Sequence, residues 1–150
     1  MRDQGADILL VEDNPEDIKL ALHALNSAGL AHRVHVARDG VEALEFVFGA
    51  ASDAAPLAPR MLKLILLDLK LPRLDGYEVL KRIKSDPRTA RIPVVMLTAS
   101  SEPRDVMRNY DMGANSYVIK PVDFEQFTDL IRDIGKYWLV IDHAIDREAG

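Results

Sequence analysis

The sequence of 150 residues contains no cysteine, which excludes disulfide bonds, thiol catalysis and zinc sites ligated by cysteine. It also contains no apolar run that approaches the ~20 residues of a membrane-spanning helix. Residues 1–7 are polar and lack the apolar stretch of a secretory signal peptide. We therefore expect a cytoplasmic protein without a membrane partner.

Basic residues are also fewer than acidic residues in this sequence. The 19 lysine and arginine residues are outnumbered by 24 aspartate and glutamate residues, which gives a formal net charge of -5. Broad binding to nucleic acid needs clustered positive charge against phosphate, so we expect no nucleic-acid partner. The chain length fits one domain with a full hydrophobic core.

Short apolar runs occur at four places in the chain and lack the alternation of a half-exposed strand. Such uninterrupted runs are typical of strands that are covered on both faces, as in a parallel sheet. A fifth segment does alternate, which predicts a half-exposed edge strand. The uninterrupted runs are residues 8–11, 64–67, 94–97 and 117–119, and the alternating segment is residues 33–36.

The segments between these runs carry the spacing of apolar residues that is typical of helices. Asn14 and Pro15 predict the start of the first helix, by a capping side chain and a first-turn proline. Asp39 precedes the second helix, and Asp123 with Gln126 predicts a capping box for the last one. Strand and helix alternate five times, which predicts an α/β protein with an open, doubly wound parallel sheet in three layers.

Polar residues follow the predicted strands, at the edge where an open α/β sheet binds its ligands. They are Glu12 and Asp13 after the first strand, Asp68 after the third, Thr98 after the fourth and Lys120 after the fifth. Each residue alone has an ordinary structural explanation, such as a helix cap or a solvated strand end. Their convergence at one edge has no such ordinary explanation, because neighbouring carboxylates repel one another unless a cation lies among them.

Every metal ligand available at this edge is an oxygen atom. This favours a hard divalent cation, Mg²⁺ or another such as Mn²⁺ or Ca²⁺. A carboxylate can act as a nucleophile toward a phosphoryl group and form an aspartyl phosphate. Asp68, on the central strand, is the candidate nucleophile, and the metal, the Lys120 ammonium and the Thr98 hydroxyl would offset charge on the phosphoryl oxygens.

A set of motifs resembles the receiver domains of two-component response regulators in order and spacing. The resemblance covers roughly residues 7–140 and implies a flavodoxin-like (βα)5 fold with strand order 2-1-3-4-5. It also implies a partner histidine kinase, Mg²⁺-dependent phosphoryl acceptance and signalling through a conformational switch, without the turnover of an enzyme. The motifs are residues 8–14, 66–72, 75–76, 98–99, 113–114 and 120–121.

The resemblance implies a role for each residue of the predicted metal site. Asp68 would be the phosphoacceptor and would also contact the metal, for which Asp13 would be a direct ligand. Glu12 would bind the metal largely through water. The backbone carbonyl of Lys70 would supply a further ligand.

Residues at the ends of the last two strands would respond to the phosphoryl group. The resemblance implies that Thr98 is the switch hydroxyl and that Lys120 pairs with the phosphate. Tyr117 would be an aromatic switch that turns inward on activation, although a plain edge-strand aromatic is the alternative. The bond between Lys120 and Pro121 would be cis.

Four further segments resemble a narrower group, the single-domain regulators that are paired with phytochrome-type (bacteriophytochrome) histidine kinases. This resemblance implies a light-sensing kinase as the phosphoryl donor. It also implies a homodimer formed through the last helix and its extension. The segments are residues 13–17, 110–115, 121–123 and 137–138.

The apolar residues beyond the last helix give the dimer a physical motive. This segment carries more apolar residues than one inward-facing stripe can bury, namely Tyr137, Trp138, Leu139, Val140 and Ile141. Tyr137, Trp138 and Ile141 are the candidate dimer contacts. Exposed aromatic patches usually mark an interface. The alternative is that this segment folds back on its own domain.

We expect three regions along the chain. Residues 1–6 are predicted to be disordered, and residues 7–141 are predicted to form the receiver domain. Residues 142–150 are predicted to be a tail that is too short for an output domain.

Two other functions could use the same sheet edge. Metal-dependent phosphatases with aspartyl-phosphate chemistry carry a D-x-D motif, in which a second acid lies two residues after the nucleophile. Here Lys70 occupies that position after Asp68. A flavodoxin-like cofactor binder needs Gly, Ser and Thr after the first strand, where Glu12 and Asp13 would repel phosphate. Both alternatives are therefore disfavoured.

Overall fold

Strands and helices alternate along the chain as the apolar pattern predicts. The structure, a computed structural model, describes residues 7–30, 34–49, 62–99, 103–121 and 123–141, so residues 1–6 and 142–150 lie outside the described part. The elements are β1 (Ile8–Val11), α1 (Pro15–Ser27), β2 (Val34–Ala37), α2 (Gly40–Phe48), β3 (Leu64–Asp68), α3 (Gly76–Ser85), β4 (Val94–Thr98), α4 (Pro103–Asp111), β5 (Ser116–Ile119), α5 (Phe124–Lys136) and a π-helical turn (Tyr137–Ile141).

The five strands form one parallel sheet in the order β2-β1-β3-β4-β5. This confirms the flavodoxin-like fold with helices on both faces. All residues of β1, β3 and β4 are buried, whereas β2 and β5 are half-exposed edge strands. The uninterrupted apolar runs are explained by this burial, because both faces of the central strands are covered by helices.

Alternate residues of the central strands point into two separate cores. Leu9 and Leu67 pack with residues of α2 and α3 on one face of the sheet. Leu10 and Leu66 pack with residues of α1 and α5 on the other face. The period of two along a strand therefore divides the apolar residues between the layers.

The predicted helix caps are confirmed at the first two helices. The Asn14 side chain accepts hydrogen bonds from the backbone N–H groups of Glu16 (2.9 Å) and Asp17 (3.2 Å). The Asp39 side chain accepts one from the N–H of Glu42 (2.8 Å). These caps satisfy backbone donors that have no partner within the helix.

Two local predictions are wrong. Asp123 is the N-cap residue of α5 but forms no capping hydrogen bond, because its exposed carboxylate can be hydrated by water instead. No cis peptide bond occurs among the described residues, so the bond between Lys120 and Pro121 is trans. The trans isomer of a prolyl bond is favoured by only ~0.5–1 kcal/mol, so the local sequence alone does not fix the isomer. Among the described helices, none is long and apolar enough to span a membrane.

Gly76, the first residue of α3, lies against the backbone at the end of β3. Its N–H donates to the carbonyl of Leu69 at 2.8 Å. A Cβ atom added at this position would clash with the Asp68 carbonyl oxygen and lie 2.8 Å from the Leu69 Cα. The missing side chain therefore allows α3 to begin close to the carboxylate-bearing end of β3.

We predict that Gly76→Ala lowers the free energy of unfolding by about 1–3 kcal/mol, because the rigid backbone must move to admit the methyl group. Helix propensity alone predicts the opposite sign, since alanine is favoured over glycine in a helix. Urea denaturation measures the difference. Lys81→Ala, at an exposed position of the same helix, is the control and should change stability little. A Gly76→Ala variant as stable as the wild type would contradict the close approach.

Candidate functional site

The carboxyl ends of four neighbouring strands bring the predicted polar residues together. Because β1, β3, β4 and β5 are adjacent in the sheet, the residues that end or follow them share one edge. Glu12, Asp68 and Thr98 are buried, with 3%, 8% and 1% of their surfaces exposed. Asp13 is exposed, so the site opens to solvent on its side.

Glu12, Asp13 and Asp68 form an acidic cluster. One carboxylate oxygen of each lies within 4.8 Å of the others. This set of oxygen ligands, with one exposed member, fits a hard divalent cation that keeps several water ligands. The predicted convergence of carboxylates is therefore present in the structure.

The ammonium of Lys120 lies against the buried side of this cluster. Its Nζ donates to Glu12 Oε1 at 2.8 Å and to Asp17 Oδ2 at 2.9 Å, and it lies 3.6 Å from Asp68 Oδ2. The contact with Asp17 was not predicted from the sequence. The available signal was that α1 begins at the same edge of the sheet, so its first turn carries Asp17 toward the site.

Burial and crowding shift the proton affinities of the two inner carboxylates. Burial, and then the charge of Asp68, raise the pKa of Glu12 to about 7, against the opposing effect of Lys120. Burial also raises the pKa of Asp68, although Lys120 and the N–H groups of Leu69 and Lys70 favour its ionised form. A cation among these groups would favour the ionised forms of both carboxylates.

The pKa of Lys120 shifts in the direction that keeps this side chain charged. Burial alone would lower the pKa, but the hydrogen bonds to Glu12 and Asp17 and the charge of Asp68 raise it above its ordinary value. Lys120 is therefore a permanent positive charge at the site.

The remaining predicted residues lie around this centre. The Lys70 side chain is exposed, and its backbone directly follows Asp68 and Leu69. A pocket of about 530 Å³ opens beside Asp13 and is lined by residues 69–72, Asp75 and Tyr77. Tyr117 is half-buried, packs against the core beneath α2 and α3, and donates its backbone N–H to the Tyr110 hydroxyl at 3.2 Å.

The residues predicted to form a dimer contact divide between the protein interior and its surface. Trp138 is partly buried and packs against the core between the sheet, α1 and α5. Tyr137 is 49% exposed, and its ring meets the Trp138 ring edge-on with centroids 5.0 Å apart. The side chain of Ile141 lies outside the described part. Part of the segment therefore folds back on its own domain, while Tyr137 stays at the surface.

The raised pKa of Glu12 predicts how stability depends on pH. Its ordinary pKa is 4.5 and its pKa in the folded protein is about 7, so the folded state binds the proton more tightly between these values. Stability that is present at low pH is then lost as the pH rises through this range. We predict that, without divalent cations, the unfolding free energy of the wild type falls by up to about 3 kcal/mol relative to Glu12→Gln.

Urea denaturation at several pH values between 4.5 and 8 measures this difference. The control is Glu16→Gln, which removes an exposed carboxylate of α1 and should retain the pH dependence of the wild type. The same pH dependence in Glu12→Gln as in the wild type would contradict the assignment.

Comparison with known proteins identifies the family of this chain. The family model of the response regulator receiver domain matches residues 8–132. The probable methanogenesis regulatory protein FilR2 of Methanothrix harundinacea is 42% identical over 132 residues, which cover 88% of this chain and 83% of the relative. The response regulator Rcp1 of Synechocystis sp. is 37% identical over 132 residues, which cover 88% of each chain.

Two solved structures share the fold and most of the length. The phosphorylated cyanobacterial phytochrome response regulator RcpA has 40% identity and a TM-score of 0.78, with 91% of this chain and 95% of that chain covered. The Mn²⁺-bound form of Rcp1 has 36% identity and a TM-score of 0.77, with 90% and 95% covered. Receiver domains bind Mg²⁺ or Mn²⁺ and take a phosphoryl group from a histidine kinase, as signalling proteins and not as classical enzymes. This chain belongs to the response regulator receiver domain family.

Proposed function

We propose that Asp68 accepts a phosphoryl group from a histidine kinase and that the acidic cluster holds the Mg²⁺ on which this reaction depends. The observation that carries the proposal is the meeting of three carboxylates within 4.8 Å, with the Lys120 Nζ 3.6 Å from Asp68 Oδ2. Asp13 would be a direct metal ligand, Glu12 would act largely through water, and the Lys70 carbonyl would complete the protein ligands. When bound, the cation would offset charge on the phosphoryl oxygens.

The transfer needs a nucleophile and charge stabilisation at the receiving oxygen. An Asp68 carboxylate oxygen bonds to phosphorus as the bond from phosphorus to the donor breaks, and the electron pair leaves with the donor nitrogen or oxygen. The Lys120 ammonium is near enough to pair with a phosphoryl oxygen. Thr98, at the end of the adjacent strand β4, would hydrogen-bond another.

The proposed signal begins at Thr98 and ends at the edge strand. Thr98 pairs in register with Ile119, two residues after Tyr117. Movement of the Thr98 hydroxyl toward the phosphoryl group would change the packing against β5, and Tyr117 would turn inward in response. The half-buried position of Tyr117, which packs partly against the core, supports this role. The chain would also assist its own phosphorylation and dephosphorylation.

We also propose that the phosphoryl donor is a phytochrome-type histidine kinase. The likeness to RcpA, which is described as a cyanobacterial phytochrome response regulator, supports this donor. We propose a single receiver domain over residues 7–141. We also propose that it is located in the cytoplasm, where the nucleotide from which a histidine kinase takes its phosphoryl group is available. The excess of acidic over basic residues supports protein partners in preference to nucleic acid.

Incubation with acetyl phosphate and Mg²⁺ tests the assignment of Asp68. Intact mass spectrometry should show one phosphoryl group per chain, which decays slowly and is absent from Asp68→Asn. The matched control is Asp75→Asn, which removes an exposed carboxylate near the site but retains a side chain that can cap α3. Its adduct should form as in the wild type.

Two results would count against the proposal. An adduct that persists in Asp68→Asn would place the phosphoryl group elsewhere. Rapid release of phosphate over many turnovers would indicate a hydrolase instead.

We propose a homodimer through α5 and the π-helical turn, with Tyr137 as a contact. Its exposure directly after α5 supports this role. Phe124, at the start of α5, is also an exposed apolar residue, with 62% of its surface accessible. Exposed aromatic residues on α5 and the turn that follows it are consistent with an interface.

Sedimentation equilibrium tests the dimer. We predict that Tyr137→Ala weakens association by about tenfold or more, as expected for an aromatic residue central to an interface. Met107→Ala is the matched control, because Met107 is also exposed (65%) but lies on α4. Trp138→Ala is less suitable, since it also removes core packing. A wild type that stays monomeric at all concentrations would refute the dimer.

A further inference from the structure

The Lys120 ammonium lies near the Asp68 carboxylate but does not form a hydrogen bond with it. Hydrogen bonds to Glu12 Oε1 (2.8 Å) and Asp17 Oδ2 (2.9 Å) use two of its three donors. The distance to Asp68 Oδ2 is 3.6 Å, which is longer than a hydrogen bond. Two carboxylates outside the candidate nucleophile therefore determine where this cation lies.

Asp17 is well placed to anchor the ammonium. It lies in the first turn of α1, where the Asn14 side chain accepts a hydrogen bond from its backbone N–H at 3.2 Å. Its side chain is 27% exposed and that of Lys120 is 14% exposed, so the ion pair is largely shielded from water. A shielded, hydrogen-bonded ion pair is stronger than one on the surface. Asp17 lies outside the acidic cluster, and its side chain reaches the site through this ion pair with Lys120.

We propose that Asp17 is a positioning residue for phosphoryl transfer: it shares the Lys120 ammonium with Glu12 and so keeps the Asp68 carboxylate free to attack phosphorus. This inference rests on the proposed function of Asp68. Without Asp17, the released donor of Lys120 pairs with Asp68, the next carboxylate in distance after Glu12. An oxygen tied to an ammonium is a weaker nucleophile, so transfer slows.

The rate constant of phosphorylation by acetyl phosphate, at saturating Mg²⁺, measures the effect. Saturation removes any contribution from weaker metal binding. We predict that Asp17→Asn lowers this rate constant on the order of fivefold, the equivalent of one charge-assisted hydrogen bond redirected onto the nucleophile. Asp17→Glu, which retains a carboxylate, should recover part of the rate.

Glu16→Gln is the matched control. It removes the same charge from the same helical turn, but Glu16 is exposed and has no contact with Lys120. Its rate should stay within about twofold of the wild type, because exposed charges are screened by salt. An equal loss in both variants would show a general charge effect and would overturn the inference.

Two further measurements show whether Asp17 acts through Lys120. In a Lys120→Met background, Asp17→Asn should cause no additional loss, and an additive loss would overturn the inference. If Lys120→Met is not measurably phosphorylated, the ¹⁵N NMR signal of the Lys120 ammonium decides. That signal should shift in Asp17→Asn and not in Glu16→Gln, and an unchanged signal would overturn the inference.

The outcomes also separate this inference from the function on which it rests. Normal phosphorylation of Asp17→Asn, with an adduct that still depends on Asp68, would reject the positioning role and leave the function intact. No adduct in the wild type would reject the proposed function itself.

Discussion

One ammonium group faces three carboxylates at the edge of the sheet, and the chemistry of the site depends on this charge balance. Lys120 contacts Glu12, Asp17 and Asp68, while Asp13 adds a further carboxylate at the open side. One positive charge cannot offset four negative ones, and burial makes the imbalance more costly. Burial first, and the charge of Asp68 second, raise the pKa of Glu12 to about 7. A divalent cation would relieve this imbalance, so the cost of assembling the carboxylates favours metal binding.

The fold creates this constraint through adjacency. Parallel strands place their carboxyl ends at one edge, and the order β2-β1-β3-β4-β5 makes the strands that carry the site residues neighbours. The cores on the two faces hold the central strands rigidly, so the carboxylates cannot move apart to lower their repulsion. Gly76 tightens the site further by letting α3 begin against the backbone of Asp68. The packing of the two cores thus holds mutually repelling carboxylates together at the site, where they are useful for function.

The sequence predicted the strands and the meeting of Glu12, Asp13, Asp68 and Lys120, because both follow from short patterns joined to a rule about parallel sheets, whereas the sheet order came from the resemblance to receiver domains. It did not predict the ion pair with Asp17, which depends on how α1 leaves the sheet and on the reach of a lysine from β5. The predicted cis bond between Lys120 and Pro121 was also wrong, because the small energy difference between the two isomers leaves tertiary packing to select one. Tyr137 and Trp138 are neighbours with the same apolar character, so only packing could assign one to the core and one to the surface.

The most direct test of this account is the effect of Mg²⁺ on unfolding at neutral pH. If the crowded carboxylates bind the cation, Mg²⁺ at 100 times its dissociation constant should raise the unfolding free energy by about 2.7 kcal/mol. Asp13→Asn, which removes the exposed member of the acidic cluster, should lose most of this gain. A urea midpoint of the wild type that does not change between EDTA and saturating Mg²⁺ would contradict the account.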